Sequence, residues 1–168
     1  MMVTLWPPTN RDGAALIRAY EDLLSWPLIV GTEIVSAGRA LQLMGEREHM
    51  LHTTCSAFDA VFVPAALGSD VLVLADRRDA ALAPIPALTY GNGEKVLLVE
   101  PETARPLTAV VDVRVESGPG GRIALPPSRG ARWDTWPWEL AEPKPVPLTN
   151  GVRLLPVLRT ALANTPTG

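Results

Sequence analysis

Cysteine is almost missing from this chain. Cys55 is the only one in 168 residues, so no disulfide can close within the chain, which suits a reducing, cytoplasmic setting. Lysine is nearly as scarce, with Lys95 and Lys144 set against 13 arginines. Arginine is the better fork for phosphate, but a biased genome gives the same skew. No apolar run approaches the roughly 18 residues that a membrane span needs, so no membrane partner is expected. Acidic residues outnumber basic ones by 18 to 15, for a net charge of −3. Whole-molecule charge therefore does not advertise nucleic-acid binding, which would have to come from a local patch. The opening stretch, with Trp6, Pro7, Pro8, Asn10, Arg11 and Asp12, does not read as a secretory signal.

What is present suits a chain that buries a core. Hydrophobic residues make up 47% of the sequence and charged ones 20%, and the length fits a single domain over 1–168, with tails at 1–9 and 164–168. The 17 prolines and the five tryptophans, in two clusters, imply short elements and many turns. A first helix is expected after Asn10 or Asp12, either of which can cap it, with Leu16, Ile17, Tyr20, Leu23 and Leu24 on one stripe. Trp26-Pro27 ends it. Short strands follow at 28–30 and 33–35, then a weaker helix over 37–48. Residues 49–53 and 58–63 read as two strands. Pro64 suits the first turn of a helix, although a strand over 71–74 competes with that reading. Ala87–Tyr90 and Lys95–Val99, joined through Gly91-Asn92-Gly93, make a strong hairpin signal. Val110–Glu116 and Arg122–Leu125, joined through Gly118-Pro119-Gly120-Gly121, make a second. A Trp-rich segment spans 133–140, a Pro-rich connector 142–150, and a closing helix 154–163. The fold class expected is α/β (α+β), with two hairpins and mixed sheets flanked by helices.

Several groups of residues carry possible chemistry. His49, His52 and Cys55 have metal-like spacing on a helix, but extended chain sends the two histidines to opposite faces. Ser128 lies outside any nucleophile elbow. The Gly118–Gly121 run lacks a following Lys-Ser/Thr, and Pro119 removes one amide donor, so a plain turn competes with a phosphate cradle. Lys95, Arg122, Arg129 and Arg132 form the best basic cluster, and Trp133 beside them offers a stacking face. A single-stranded nucleic acid or a nucleotide would sit there. Trp133, Trp136 and Trp138, with Pro137, would pack on the sheet as a cap, or, if exposed, would make a partner or homodimer patch. Pro143 to Pro147 reads as a stiff connector or as a groove ligand.

The order of motifs resembles a known family. Phe58-Asp59-Ala60-Val61-Phe62-Val63-Pro64 precedes a helix. Gly91-Asn92-Gly93-Glu94 leads into a strand that ends at Pro101. Val111-Asp112-Val113-Arg114, then Gly120-Gly121-Arg122-Ile123-Ala124-Leu125-Pro126-Pro127-Ser128-Arg129, and then Trp133 complete the series. Near the start, Ser25-Trp26-Pro27-Leu28-Ile29-Val30 looks like a Gly-Trp-Pro-Val strand. This order, over most of 16–133, resembles the bifunctional DNA primase/polymerase domain of the archaeo-eukaryotic primase superfamily, above all its shortened actinobacterial members.

The resemblance implies a strand with two acids one position apart, a hairpin histidine, and a later acid, together holding divalent metal for phosphoryl transfer. This sequence departs from that set. Aligned on Val-Pro, the acidic pair falls at Phe62 and Pro64; three residues earlier it falls at Asp59 and Val61. The histidine falls at Lys95 or Val96. Only Asp112 stands at the later acidic position. The resemblance therefore implies a domain that has kept its scaffold and lost its chemistry, with Asp59 and Asp112 vestigial and no metal site or cofactor. Mg²⁺ or Mn²⁺ would matter only if nucleotidyl transfer were retained. The expected role is association with nucleic acid or nucleotide, or regulation, in DNA metabolism. The alternative is a structural or protein-interaction module acting through the Trp/Pro-rich segment. A surviving nucleotide site would require Asp59, Lys95, Asp112 and Arg122 to converge on one cleft.

Overall fold

A computed structural model describes residues 6–46, 49–78 and 82–165. Helix α1 (Gly13–Asp22) starts where the Asp12 carboxylate accepts the Ala15 N–H at 3.2 Å, and it buries Leu16, Ile17 and Tyr20. Strands β1 (Leu28–Val30) and β2 (Glu33–Val35) pair around Gly31, whose φ of 65° a side chain would resist. Helix α2 (Ala37–Glu46) is capped twice. Ser36 Oγ accepts from the Arg39 N–H, and Glu21 of α1 accepts from the Ala37 N–H at 2.7 Å.

The centre of the sheet is β3 (Leu51–Pro64), one strand of 14 residues where two were expected. Helix α3 (Ala65–Arg78) follows Pro64, so the helical reading of 71–74 prevails over the strand reading. Strands β4 (Ala87–Tyr90) and β5 (Glu94–Val99) form the first expected hairpin. A short 3-10 helix, Arg105–Ala109, leads to β6 (Arg114–Ala124), and β7 (Ala131–Thr135) follows. A second 3-10 turn, Gly151–Leu154, runs into helix α4 (Leu155–Ala163).

The mixed helix and sheet content expected from the sequence is what the chain builds, in one sheet whose pairings are all antiparallel. Its order is β2-β1-β3-β5-β4-β7, with β6 on the other edge of β3.

The second expected hairpin does not form. Gly118-Pro119-Gly120-Gly121 lies inside β6 and does not reverse it. Both arms of the supposed hairpin find the same long partner. Glu116 pairs with Ala60 and Arg122 with Thr54, and register shifts at Cys55 absorb the extra residues. Glycine permits this because Gly118 sits at φ 73° and a Cβ on Gly121 would lie 3.0 Å from the Ser117 backbone.

Alternation along β3 divides the core. Phe58, Ala60 and Phe62 join α1, α2 and the tryptophans on one face, while Val61 and Val63 join α3 and α4 on the other.

Candidate functional site

The residues singled out from the sequence are held at separate points along β3. Arg122 lies opposite Thr54, Asp59 opposite Val99, and Lys95 opposite Val63. At about 3.3 Å per residue, Thr54 and Val63 are some 30 Å apart along an extended strand. Asp112 is exposed in the turn before β6, at φ 63°. The four do not share a cleft.

Asp59 and Lys95 also have other work. Asp59 is 1% exposed, and its carboxylate accepts the N–H groups of Glu102, Thr103 and Ala104 at 3.0 to 3.1 Å. It closes the turn after β5, so its lone pairs are not turned toward a metal. Lys95 is 6% exposed. Its Nζ donates to Asp134 Oδ2 at 2.7 Å, and its stem lies under Gly68 of α3, where an added Cβ would meet Lys95 Cδ at 2.8 Å. Asp134 also takes a hydrogen bond from Thr89 and an ion pair from Arg132. Burial alone would raise the Asp134 carboxyl. Hydrogen bonds from Lys95 and Thr89, with the charges of Lys95 and Arg132, outweigh it and hold the group below its ordinary value.

Ser128 is a structural pin. It accepts the Leu51 N–H at 2.7 Å and donates to the Leu51 carbonyl at 3.1 Å, fixing the start of β3. Trp133 is 3% exposed and cannot stack on a base. Its indole N–H donates to Tyr20 Oη at 2.9 Å, and Tyr20 in turn donates to the Pro126 carbonyl at 2.7 Å. The stacking face is therefore corrected to a core residue, because the alternation along β7 turns Trp133 inward. Arg122, Arg129 and Arg132 remain exposed. Burial, and then the Arg122 charge, hold His52 below the usual imidazole value. Burial pushes the Cys55 thiol up to about 12. Among the described residues no three His, Cys, Asp or Glu side chains are placed to share a metal ion.

In the register aligned on Val-Pro, the first acidic position falls on Phe62, which is buried in β3. The Arg114 guanidinium lies over its ring, 4.0 Å from the centroid. Glu94 and Glu116 hold that guanidinium at 3.3 and 3.1 Å. A cation supplied by the chain thus sits between Glu94 and Glu116, on an aromatic face that offers no lone pair. These donors do not fit a divalent metal. Arg114 was legible in the Val-Asp-Val-Arg run, but its stacking on Phe62 depends on the pairing of β3 with β6, which the Gly-rich run concealed.

The Trp-rich segment divides. Trp138, at 1% exposed, joins Trp133 in the core, while Trp136 is half-buried and stacks on Trp138 with centroids 5.6 Å apart and planes 20° apart. Beyond β7 lies a hollow of about 830 Å³, walled by Trp136, Trp138, Leu140, Val146, Pro147 and Pro84. A second hollow of about 580 Å³ shares Leu82, Ala83, Pro84 and Thr135 with it and continues toward α3. Asn10 reaches this side of the sheet. Its amide accepts the Trp133 N–H at 2.9 Å and donates to the Trp133 carbonyl at 3.0 Å.

No family model matches the chain, and no curated protein or solved structure matches it either. Among the described residues no helix is long and apolar enough to cross a membrane.

Proposed function

We propose that this chain is a primase/polymerase-like domain without nucleotidyl-transfer chemistry, and that it works by binding another protein through its Trp/Pro-rich segment. The loss of chemistry is carried by the acidic pair, which is incomplete in either register of the resemblance: Phe62 and Pro64 stand in one, covered at Phe62 by Arg114, and in the other Asp59 is taken up by backbone N–H groups and Val61 is apolar. Charge neutralisation on a triphosphate needs metal, and metal needs oxygen ligands. The preference for protein over nucleic acid rests on the fate of the basic cluster. Lys95 is spent on Asp134, Ser128 on Leu51, and Trp133 on Tyr20. Association with nucleic acid in DNA metabolism is the second reading, and exposed Arg122, Arg129 and Arg132 favour it.

Primer extension with dNTPs and Mg²⁺ or Mn²⁺ tests the first claim. No product is expected, and a metal-dependent product abolished by Asp112→Ala would overturn it. Anisotropy of a labelled single-stranded oligonucleotide at low salt tests the second reading. Binding that weakens steeply with salt and with Arg122→Ala would establish nucleic acid as the partner.

A further inference from the structure

Two Asn-Gly pairs occur in this chain, Asn92-Gly93 at the tip of the first hairpin and Asn150-Gly151 at the second 3-10 turn. Glycine after asparagine lets the backbone nitrogen reach the side-chain amide, because no Cβ stands in the way. The fold treats the two pairs differently. Gly151 is buried, and its N–H donates to Thr103 Oγ1 at 2.7 Å. A Cβ at Gly151 would lie 2.9 to 3.0 Å from Thr103 and Ala104, so the backbone there has no room to turn. Gly93 is exposed, and beyond its chain neighbours no atom lies within 4 Å of the place where a Cβ would stand. Its N–H makes a longer bond, 3.2 Å, to the Tyr90 carbonyl. Asn92 is exposed as well. Its Oδ1 accepts the Glu94 N–H at 3.1 Å, and its Nδ2 donates to Glu94 Oε1 at 2.8 Å.

We infer that Asn92 is a site of spontaneous, backbone-assisted deamidation, and that the fold protects Asn150 from the same reaction. The Gly93 nitrogen gives up its proton and attacks Asn92 Cγ. A new N–C bond forms, the Cγ–Nδ2 bond breaks, and the side-chain nitrogen leaves as ammonia, taking a proton through water. A cyclic imide remains. Water then opens it at either carbonyl, leaving aspartate or isoaspartate at position 92. Water is the sole co-reactant, and nothing is oxidised or reduced. The Glu94 N–H already stands on the oxygen that gathers negative charge as the nitrogen adds. The Val152 N–H does the same for Asn150 at 3.0 Å, so the discrimination lies in the two glycines. For Asn150 to react, its turn must first open away from Thr103 and Ala104, and the reactive fraction falls with the free energy of that opening.

The product changes the hairpin tip, which is a junction. The Gly93 carbonyl accepts the N–H of Ala65, the first residue of α3, at 2.9 Å, and the Gly91 N–H donates to the Gly130 carbonyl at 2.8 Å. An aspartate at 92 sets acceptor against acceptor and charge against charge where Asn92 now donates to Glu94. Isoaspartate lengthens the main chain by one methylene just before Gly93 and displaces its carbonyl. Either product loosens the start of α3, and the change runs one way. The inference stands apart from the reading of the protein as a binding module.

Peptide mass spectrometry of the full chain, kept folded at mildly alkaline pH and sampled over time, is the test. Acid should accumulate at Asn92 at least about tenfold faster than at Asn150. In urea the two sites should react at similar rates, because only the fold distinguishes them. Equal rates in the folded chain overturn the inference, as does faster loss at Asn150, or an Asn92 that survives in the folded chain while it reacts in urea. Asn92→Asp should speed hydrogen exchange at the Ala65 amide severalfold, and unchanged exchange there overturns the link to α3.

Discussion

The two faces of the sheet keep their buried polar groups in different ways. Under α1 and α2 the core is built of rings: Tyr20, Trp26, Phe58, Trp133 and Trp138 lie within 6.4 Å of one another's centroids in a connected series. Two of its polar side chains are joined in a relay, from Trp133 to Tyr20 to the Pro126 carbonyl. Under α3 and α4 the core is branched and aliphatic, with Val61, Val63, Val71, Leu97 and Leu158. One buried carboxylate, Asp59, serves this side by receiving three backbone N–H groups. The aromatic face spreads its polar demands over several neutral partners. The aliphatic side relies on charges, the Asp59 carboxylate on the turn and buried Lys95 under α3 on Asp134. Asp59 therefore needs no catalytic role to account for its burial, since its carboxylate holds the turn at 102–104.

Three substitutions would sharpen that contrast. Asp59→Ala should be the most damaging, because it strands three backbone donors at once. We expect a loss of roughly 3 kcal/mol or more, read from urea unfolding, with Asp59→Asn recovering part of it through its one remaining acceptor. A loss under about 1 kcal/mol would mean that water satisfies the turn and that the contrast is false. Tyr20→Phe should cost less, roughly 1–3 kcal/mol, since it leaves one indole N–H and one carbonyl without their partner while the rings still pack. An additional red shift of tryptophan fluorescence would show that the relay also positions the rings.

Asp134→Asn should cost no more than Tyr20→Phe, roughly 1–2 kcal/mol at neutral pH, because the amide oxygen still accepts from the buried Lys95 ammonium while the charge that balanced it is gone. Its sign with pH is fixed. The folded carboxyl is held below its ordinary value of 3.8, so its contribution is present above that value and is lost as pH falls through the folded value. The wild-type and Asp134→Asn stability curves should therefore converge below about pH 4. Curves that stay parallel there would remove Lys95 and Asp134 from the account.

Much of the fold was legible because local chemistry and tertiary packing agree. Asp12 caps α1, Asn92-Gly93 turns the first hairpin, and Pro64 opens α3. The failures lie where pairing at long range overrules a local signal. Four consecutive turn-formers at 118–121 are drawn into one strand because β3 is long enough to hold both sides of them. His49 to Thr53 and Phe58 to Val63 merge for the same reason. The site was less legible than the fold. Sequence places Lys95, Ser128 and Trp133 near one another in the order of the motifs, but says nothing of Asp134, Leu51 and Tyr20, which engage them. Asn10 was read as a possible helix cap. Its amide instead serves Trp133, more than a hundred residues away.

That amide has a consequence for how the molecule can assemble. β7 is the last strand on its side of the sheet, and a bare border strand invites another chain to extend the ladder into a fibre. The Asn10 side chain imitates one residue of such a neighbour, giving and taking one hydrogen bond at the middle of the border. An arriving strand would have to expel it before the first new rung could form. Growth of the ladder from this flank is thereby obstructed at its middle rung.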